Sequence, residues 1–317
     1  MSKWTAVDMA SQAGKLAIVT GPTGLGYEVG VALARAGAEV VLAGRNPNTG
    51  TDAARRAAAA SGGAVRFEGL DLASLASVRA FADRMLAAAR PVDLLINNAG
   101  VMMPPRRQLT ADGFELQLGT NYLGHFALTG LLLPLLRAAH GRVVSVSSIA
   151  ARGASIHFDD LDFATSYRPD PSYGQSKLAM LLFAFELERQ SIAKGWGITS
   201  IAAHPGVART DLIDKGPGAA SALGIISRML PFVRQPVWQG ALPLLYAAVA
   251  PEAVPGAYYG PDGFQEFRGY PRRVSGPNAA QDATAARRLW DVSVERTGVD
   301  FSTARQLAMK ASWRNIG

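Results

Sequence analysis

The sequence predicts a doubly wound α/β fold: one mostly parallel sheet of seven strands with helices on both faces. Three observations carry that reading. Through the first two thirds of the 317 residues, short β-branched runs alternate with longer Ala/Leu-rich segments of helical period, the pattern of repeated strand–helix–strand units. A glycine-rich turn joins the first run to the first helical segment, as in loops that receive a dinucleotide. Of all residues 49% are hydrophobic and 18% charged, enough apolar material to bury both faces of a sheet.

Taken in order, strands are expected at Leu16–Thr20, Glu39–Ala43, Ala64–Glu68, Leu94–Asn97, Arg142–Val146, Ile198–Ala203 and Ala257–Tyr259. Helices fall between them, among them Leu25–Ala36 and Ser74–Ala88. No repeat and no low-complexity linker divides the chain, so residues 1–317 read as a single domain. In such sheets ligands bind at the carboxyl ends of the strands, and functional side chains should follow directly after them.

The first strand runs into Gly21-Pro22-Thr23-Gly24-Leu25-Gly26 and then a helix. Glycine there permits the turn and lets backbone approach a pyrophosphate, while helix N-terminal amides attract phosphate. By itself a three-glycine loop is equally a structural turn. The second strand ends in Ala43-Gly44-Arg45-Asn46, with no Asp or Glu to bind the adenosine ribose hydroxyls. Arg45 can hold a 2′-phosphate by charge-assisted hydrogen bonds, which favours NADPH over NADH; the alternative is a solvated surface arginine.

Tyr173 and Lys177 stand four residues apart, on one face of a helix if their segment is helical. An ammonium beside a phenol favours the phenolate and suits Tyr173 to proton exchange near neutral pH. Tyr-x-x-x-Lys alone is common by chance. Here it stands in series with the glycine loop, Asn97-Asn98-Ala99-Gly100, Asn121-Tyr122-Leu123-Gly124, Val144-Ser145-Val146-Ser147-Ser148 and His204-Pro205-Gly206. That order resembles the short-chain dehydrogenases/reductases, over about Lys15 to Gly263, and in particular the branches like retinol dehydrogenase and protochlorophyllide reductase.

The resemblance implies a Rossmann-type sheet and an NADP(H)-dependent transfer of hydride to or from a carbonyl/alcohol carbon. It implies Tyr173 as general acid or base, and Lys177 on the nicotinamide ribose, depressing the pKa of Tyr173. Ser148 would orient the substrate oxygen, and Asn121 would hold a relay water. Asp71, with Leu72 beside it, would meet the adenine, although Asp71 also suits an ordinary helix cap. Asn98, Ala99 and Gly100 would line the adenosine side. Pro205, Gly206, Val207 and Thr210 would hold the carboxamide, Thr210 again being a possible cap. Residues 211–239 would form a lid whose apolar content favours a lipophilic small-molecule substrate, and residues 264–317 a C-terminal extension. The loop departs from the family in one respect: it is one residue short, and Pro22 lacks an N–H, so fewer amides are expected at the turn.

The net charge of +7 comes from scattered residues without an aromatic-interleaved basic stripe, so no nucleic-acid partner is expected. Without cysteine, disulfides and thiolate chemistry are excluded. The four histidines show no metal-binding spacing, and no Gly-x-Ser-x-Gly elbow supports a hydrolase. No apolar stretch reaches membrane-spanning length and no signal-peptide core opens the chain, which suits a cytoplasmic protein. The resemblance implies a homo-oligomer, against which the long Ser148–Tyr173 segment and the C-terminal extension could stand. Two rival readings keep the fold: a redox-neutral step such as epimerisation or dehydration using Tyr173, and a cofactor-binding protein without turnover.

Overall fold

The computed structural model describes residues 3–208 and 235–302. Its sheet has the order β3-β2-β1-β4-β5-β6-β7-β8. The strands are β1 (Leu16–Thr20), β2 (Glu39–Gly44), β3 (Val65–Gly69), β4 (Leu94–Asn97), β5 (Arg142–Val146), β6 (Thr199–Ala203), β7 (Tyr258–Pro261) and β8 (Pro271–Arg273). Seven are parallel, as the sequence predicts. The eighth corrects the strand count: β8 pairs antiparallel with β7, Tyr259 opposite Arg273 and Pro261 opposite Pro271. A three-residue Pro-Arg-Arg edge strand, mostly exposed, carries no apolar alternation by which to be read.

Side chains alternate along each strand and therefore feed two cores. Leu16 and Ile18 of β1 pack with α3 (Leu75–Ala87), α5 (Gly124–Ala138), α6 (Pro169–Lys194) and α8 (Ala283–Thr297) on one face. Ala17 and Val19 pack with α1 (Leu25–Arg35), α2 (Pro47–Ser61) and α7 (Val237–Val249) on the other. Burial on both faces explains the continuous apolar runs of the central strands. From β1 the chain winds outward to β2 and β3, then returns across to β4, so a crevice opens at the carboxyl ends of β1 and β4.

One local departure from regular structure bears on the site. The single turn α4 (Leu116–Leu118) continues into α5 through a π-helical turn, Gly119–Leu123, with Asn121 at its middle. Such turns leave a carbonyl without its usual helical partner. The expected lid is bounded more tightly than the sequence suggests, because Val237, Trp238 and Gln239 already belong to α7; residues 211–234, with Thr210, lie outside the described residues. Among the described residues no helix is long and apolar enough to cross a membrane.

Candidate active site

At the nucleotide end, Thr20 closes β1 with its side chain fully buried. Its Oγ accepts from the amides of Asn98 and Ala99, both at 2.9 Å, while Asn98 Nδ2 donates to the Thr20 carbonyl at 2.8 Å. Asn98 and Ala99 therefore tie the loop after β4 to the glycine turn. A Cβ built on Gly26 would overlap the Gly21 carbonyl oxygen and come within 2.9 Å of Asn98 Nδ2, so only glycine fits where α1 begins. Gly24 caps that helix without a side-chain bond, and the amides of Thr23, Gly24, Leu25, Gly26 and Tyr27 donate to no described residue. The shortened loop thus still presents a run of open amides at a helix N-terminus, a cradle suited to a pyrophosphate.

Arg45 follows β2 with its side chain exposed, making no hydrogen bond or ion pair to a described residue, and Asn46 beyond it caps α2 through Thr49 N–H at 3.1 Å. Asp71 sits after β3. Its Oδ1 accepts from Ala73 N–H at 3.0 Å and its own amide donates to Ser77 Oγ at 2.9 Å, a turn that leads to Ser74, the actual cap of α3. Leu72 is buried, its carbonyl against Gly124 at the start of α5.

At the catalytic end, Ser148 follows β5 and caps the short turn Ile149–Ala151, and Tyr173 with Lys177 lies on the buried N-terminal half of α6. Ser148 Oγ accepts from Ala150 N–H at 3.1 Å, and its hydroxyl also bonds the Tyr173 phenol. Burial pushes the Tyr173 phenol up to about 12, with its hydrogen bond to Ser148 pulling the other way. Burial likewise lowers Lys177 to about 8. Lys177 is not among the groups that set the Tyr173 pKa here: its Nζ lies 5.9 Å from the phenol ring centroid and donates to the Val146 carbonyl at 3.1 Å. Gly100 lies between Lys177 and Asn121, since a Cβ there would be 2.9 Å from Asn121 Oδ1 and 3.6 Å from Lys177 Nζ.

Asn121 is more committed than the sequence suggests. Its Oδ1 accepts from Val101 N–H at 2.7 Å, and its Nδ2 donates to the Val101 carbonyl at 3.0 Å and to Ser176 Oγ at 2.9 Å. Its main-chain oxygen, freed by the π turn, meets His125 Nδ1 at 2.8 Å. A carbonyl only accepts, so Nδ1 carries the proton and Nε2 accepts from Thr20 Oγ at 2.9 Å. Burial lowers His125 to about 4, keeping the ring neutral. His125 thus joins the nucleotide turn to the Asn121 turn, a role that could have been suspected only from its place in the Asn-Tyr-Leu-Gly-His stretch.

The loop after β6 is also largely bonded within the protein. Pro205 has no N–H and its carbonyl accepts from Gln235 Nε2 at 2.6 Å; Gly206 N–H donates to His204 Nδ1 at 3.3 Å, and Val207 N–H to the Phe267 carbonyl at 2.7 Å. Of the loop's described amides, Ala208 N–H is the one that donates to no described residue, which makes it a candidate donor for a carboxamide. Buried His204 in turn meets Glu266, a contact 62 positions apart in sequence that no local motif announces. Among the described residues no group of metal-ligating side chains is found.

With this geometry in place, a family model described as short chain dehydrogenase matches residues 15–217. The chain is 41% identical over 304 residues to human Retinol dehydrogenase 13, covering 92% of this chain and 87% of that one. It is 42% identical over 297 residues to mouse Polyprenol dehydrogenase, covering 90% and 85%. Among solved structures, a putative uncharacterized protein from Mycobacterium paratuberculosis aligns with a TM-score of 0.78 at 38% identity over 95% of this chain and 99% of the other. The Pseudomonas aeruginosa RhlG/NADP active-site complex aligns at 0.62 with 26% identity, covering 78% and 94%.

Proposed function

The chain belongs to the short-chain dehydrogenase/reductase family, oxidoreductases that act on a CH–OH/C=O pair with a nicotinamide cofactor, and on that premise we propose that it uses NADP(H) on a lipophilic alcohol or carbonyl compound. The observation that supports the chemistry is the approach of Ser148 and Lys177 to Tyr173, with Gly100 beside Lys177 in the same loop whose Asn98 and Ala99 pack on the glycine turn. The bound nicotinamide supplies the hydride in reduction and accepts it in oxidation. Tyr173 Oη gives its proton to the carbonyl oxygen in reduction and takes one from the alcohol in oxidation, so hydride on carbon and proton on oxygen balance. A phenol held at about 12 is in the acid form that reduction requires.

Ser148 Oγ, whose hydroxyl bonds the Tyr173 phenol, donates to the substrate oxygen when it is seated there and offsets the charge that develops on it. An ammonium has three donors, and Lys177 spends one on Val146, leaving two toward the ribose and the phenol. Because the Asn121 amide is fully engaged, a relay from Lys177 would run through the second lone pair of the Asn121 carbonyl.

Arg45 supports NADP(H) over NAD(H): a cation after β2, exposed, with no neighbouring acid at the strand end. The lipophilic class is supported by relatives named for retinol and polyprenol. Turnover of an aldehyde series of rising chain length with NADPH and with NADH tests both parts. Rising kcat/KM with chain length and a preference for NADPH are expected, and Arg45→Ala should weaken NADPH about tenfold while sparing NADH. Equal losses for both cofactors, or a preference for short polar carbonyls, would reject the corresponding part.

A further inference from the structure

The segment after β7 lies beyond residue 217, where the family match ends, yet it closes on the nicotinamide side of the site. Glu266 is its centre. Its Oε2 accepts from His204 Nε2 at 2.9 Å and pairs with Arg152 Nη2 at 2.6 Å, so the loops that follow β5, β6 and β7 converge on one carboxylate oxygen. Arg152 Nη1 also donates to the Gln265 carbonyl at 3.0 Å. Gln265 and Glu266 hold φ of 51° and 59°, a left-handed pair that persists in ordinary residues only where surrounding contacts over-determine it. Those contacts are the ones just named.

The strained segment presses on the turn it faces. Gly206, at φ 63°, has no room for a side chain, because a Cβ there would overlap the Phe267 carbonyl oxygen and lie 2.8 Å from that of Glu266. His204 Nδ1 takes the Gly206 amide and Phe267 takes the Val207 amide, while Gln235 bridges the Pro205 carbonyl and Gly269 N–H at 2.6 and 3.0 Å. Every donor up to Val207 is consumed, and the next, on Ala208, donates to no described residue.

We propose that Glu266 is a positioning residue for the nicotinamide end of the cofactor: by holding His204 and Arg152 on one oxygen it fixes the Gly206–Val207 turn, and with it the direction of the Ala208 amide. This rests on the reading that the chain binds a nicotinamide dinucleotide. The adenosine end, after β2, lies four strand spacings from β6, about 19 Å away, and should not feel Glu266.

The test is calorimetric titration of the wild type, Glu266→Gln and Glu266→Ala with NADPH and with adenosine 2′,5′-bisphosphate, at matched salt. Glu266→Ala is expected to weaken NADPH about tenfold and Glu266→Gln, which keeps the shape and an acceptor but not the charge, by less. Binding of the bisphosphate should not change in either variant. Glu266→Gln carries the test where Glu266→Ala does not fold. Undiminished NADPH binding, or an equal loss for both ligands, would overturn the proposal, the latter by showing only a general loosening of the fold. A wild type that prefers NADH would correct the cofactor reading alone; the Glu266 comparison is then made with NADH against AMP, which differ by the same nicotinamide end.

Discussion

Tyr173 and Lys177 show how burial sets the chemistry of single residues here. Tyr173→Phe keeps the ring and removes the transferable proton, so hydride transfer should fall on the order of 10²-fold or more while NADPH still binds. Turnover at the parental rate would place the acid–base work elsewhere. Lys177 carries the opposite cost. Below about pH 8 both folded and unfolded chains hold its proton, and the penalty of burying the charge is fully present; it is relieved as the pH rises from about 8 toward 10.5, where the folded state alone has shed the proton. Lys177→Met should therefore raise ligand-free stability by roughly 1–3 kcal/mol at pH 7, with the gain shrinking toward pH 10. Thermal melts of both chains across that range check it, and a destabilised Lys177→Met at pH 7 would show that its bond to Val146 outweighs desolvation. The tetrad is legible in the sequence because each member sits in a short local motif. His125 bonded to Thr20, and Glu266 bonded to His204, are not: those pairs lie 105 and 62 positions apart, and only the fold brings them together.

At the scale of elements, the strand positions were readable because both faces of the sheet are buried, which leaves apolar runs bounded by turns. What escaped was structure without that signal: the exposed β8, and the start of α7 inside a stretch that reads as loop. The glycine turn is subtler. Its shortened sequence suggests fewer amides, yet the backbone from Thr23 to Tyr27 stays open because Gly21 packs directly on Gly26. Gly26→Ala should consequently push α1 off that contact, costing about 1–3 kcal/mol and most of the cofactor affinity. Denaturant melts and NADPH titrations would check this, and normal binding by a Gly26→Ala chain would show that the turn has slack the close contact hides.

Across the whole molecule, the described part of the C-terminal extension behaves as core rather than appendage. Trp290 of α8 stacks with its ring centroid 5.1 Å from Phe126 of α5 and 6.0 Å from Phe183 of α6, and Phe301 closes the group at 4.5 Å from Trp290 and 5.8 Å from Trp196. Gly130 of α5 makes room for Val299 and Phe301, and Tyr122 bonds Ser293 at 2.7 Å. Residues of α5 and α6 that would otherwise present these large apolar side chains are therefore covered from within the chain. Removing residues 282–317 should bare several large apolar side chains, each worth roughly 1.5–3 kcal/mol of burial, a sum comparable to the stability of a whole domain. Such a truncated chain is expected to self-associate or to lose its cooperative melt in sedimentation and circular-dichroism measurements; a monodisperse, stable monomer would contradict this. The same aromatic seat has a consequence during synthesis. A nascent chain exposes α5 and α6 before α8 has been translated, so for an interval on the order of seconds its stickiest surface stands open beside the ribosome. Folding in the cell then depends on whether a chaperone or α8 reaches that surface first.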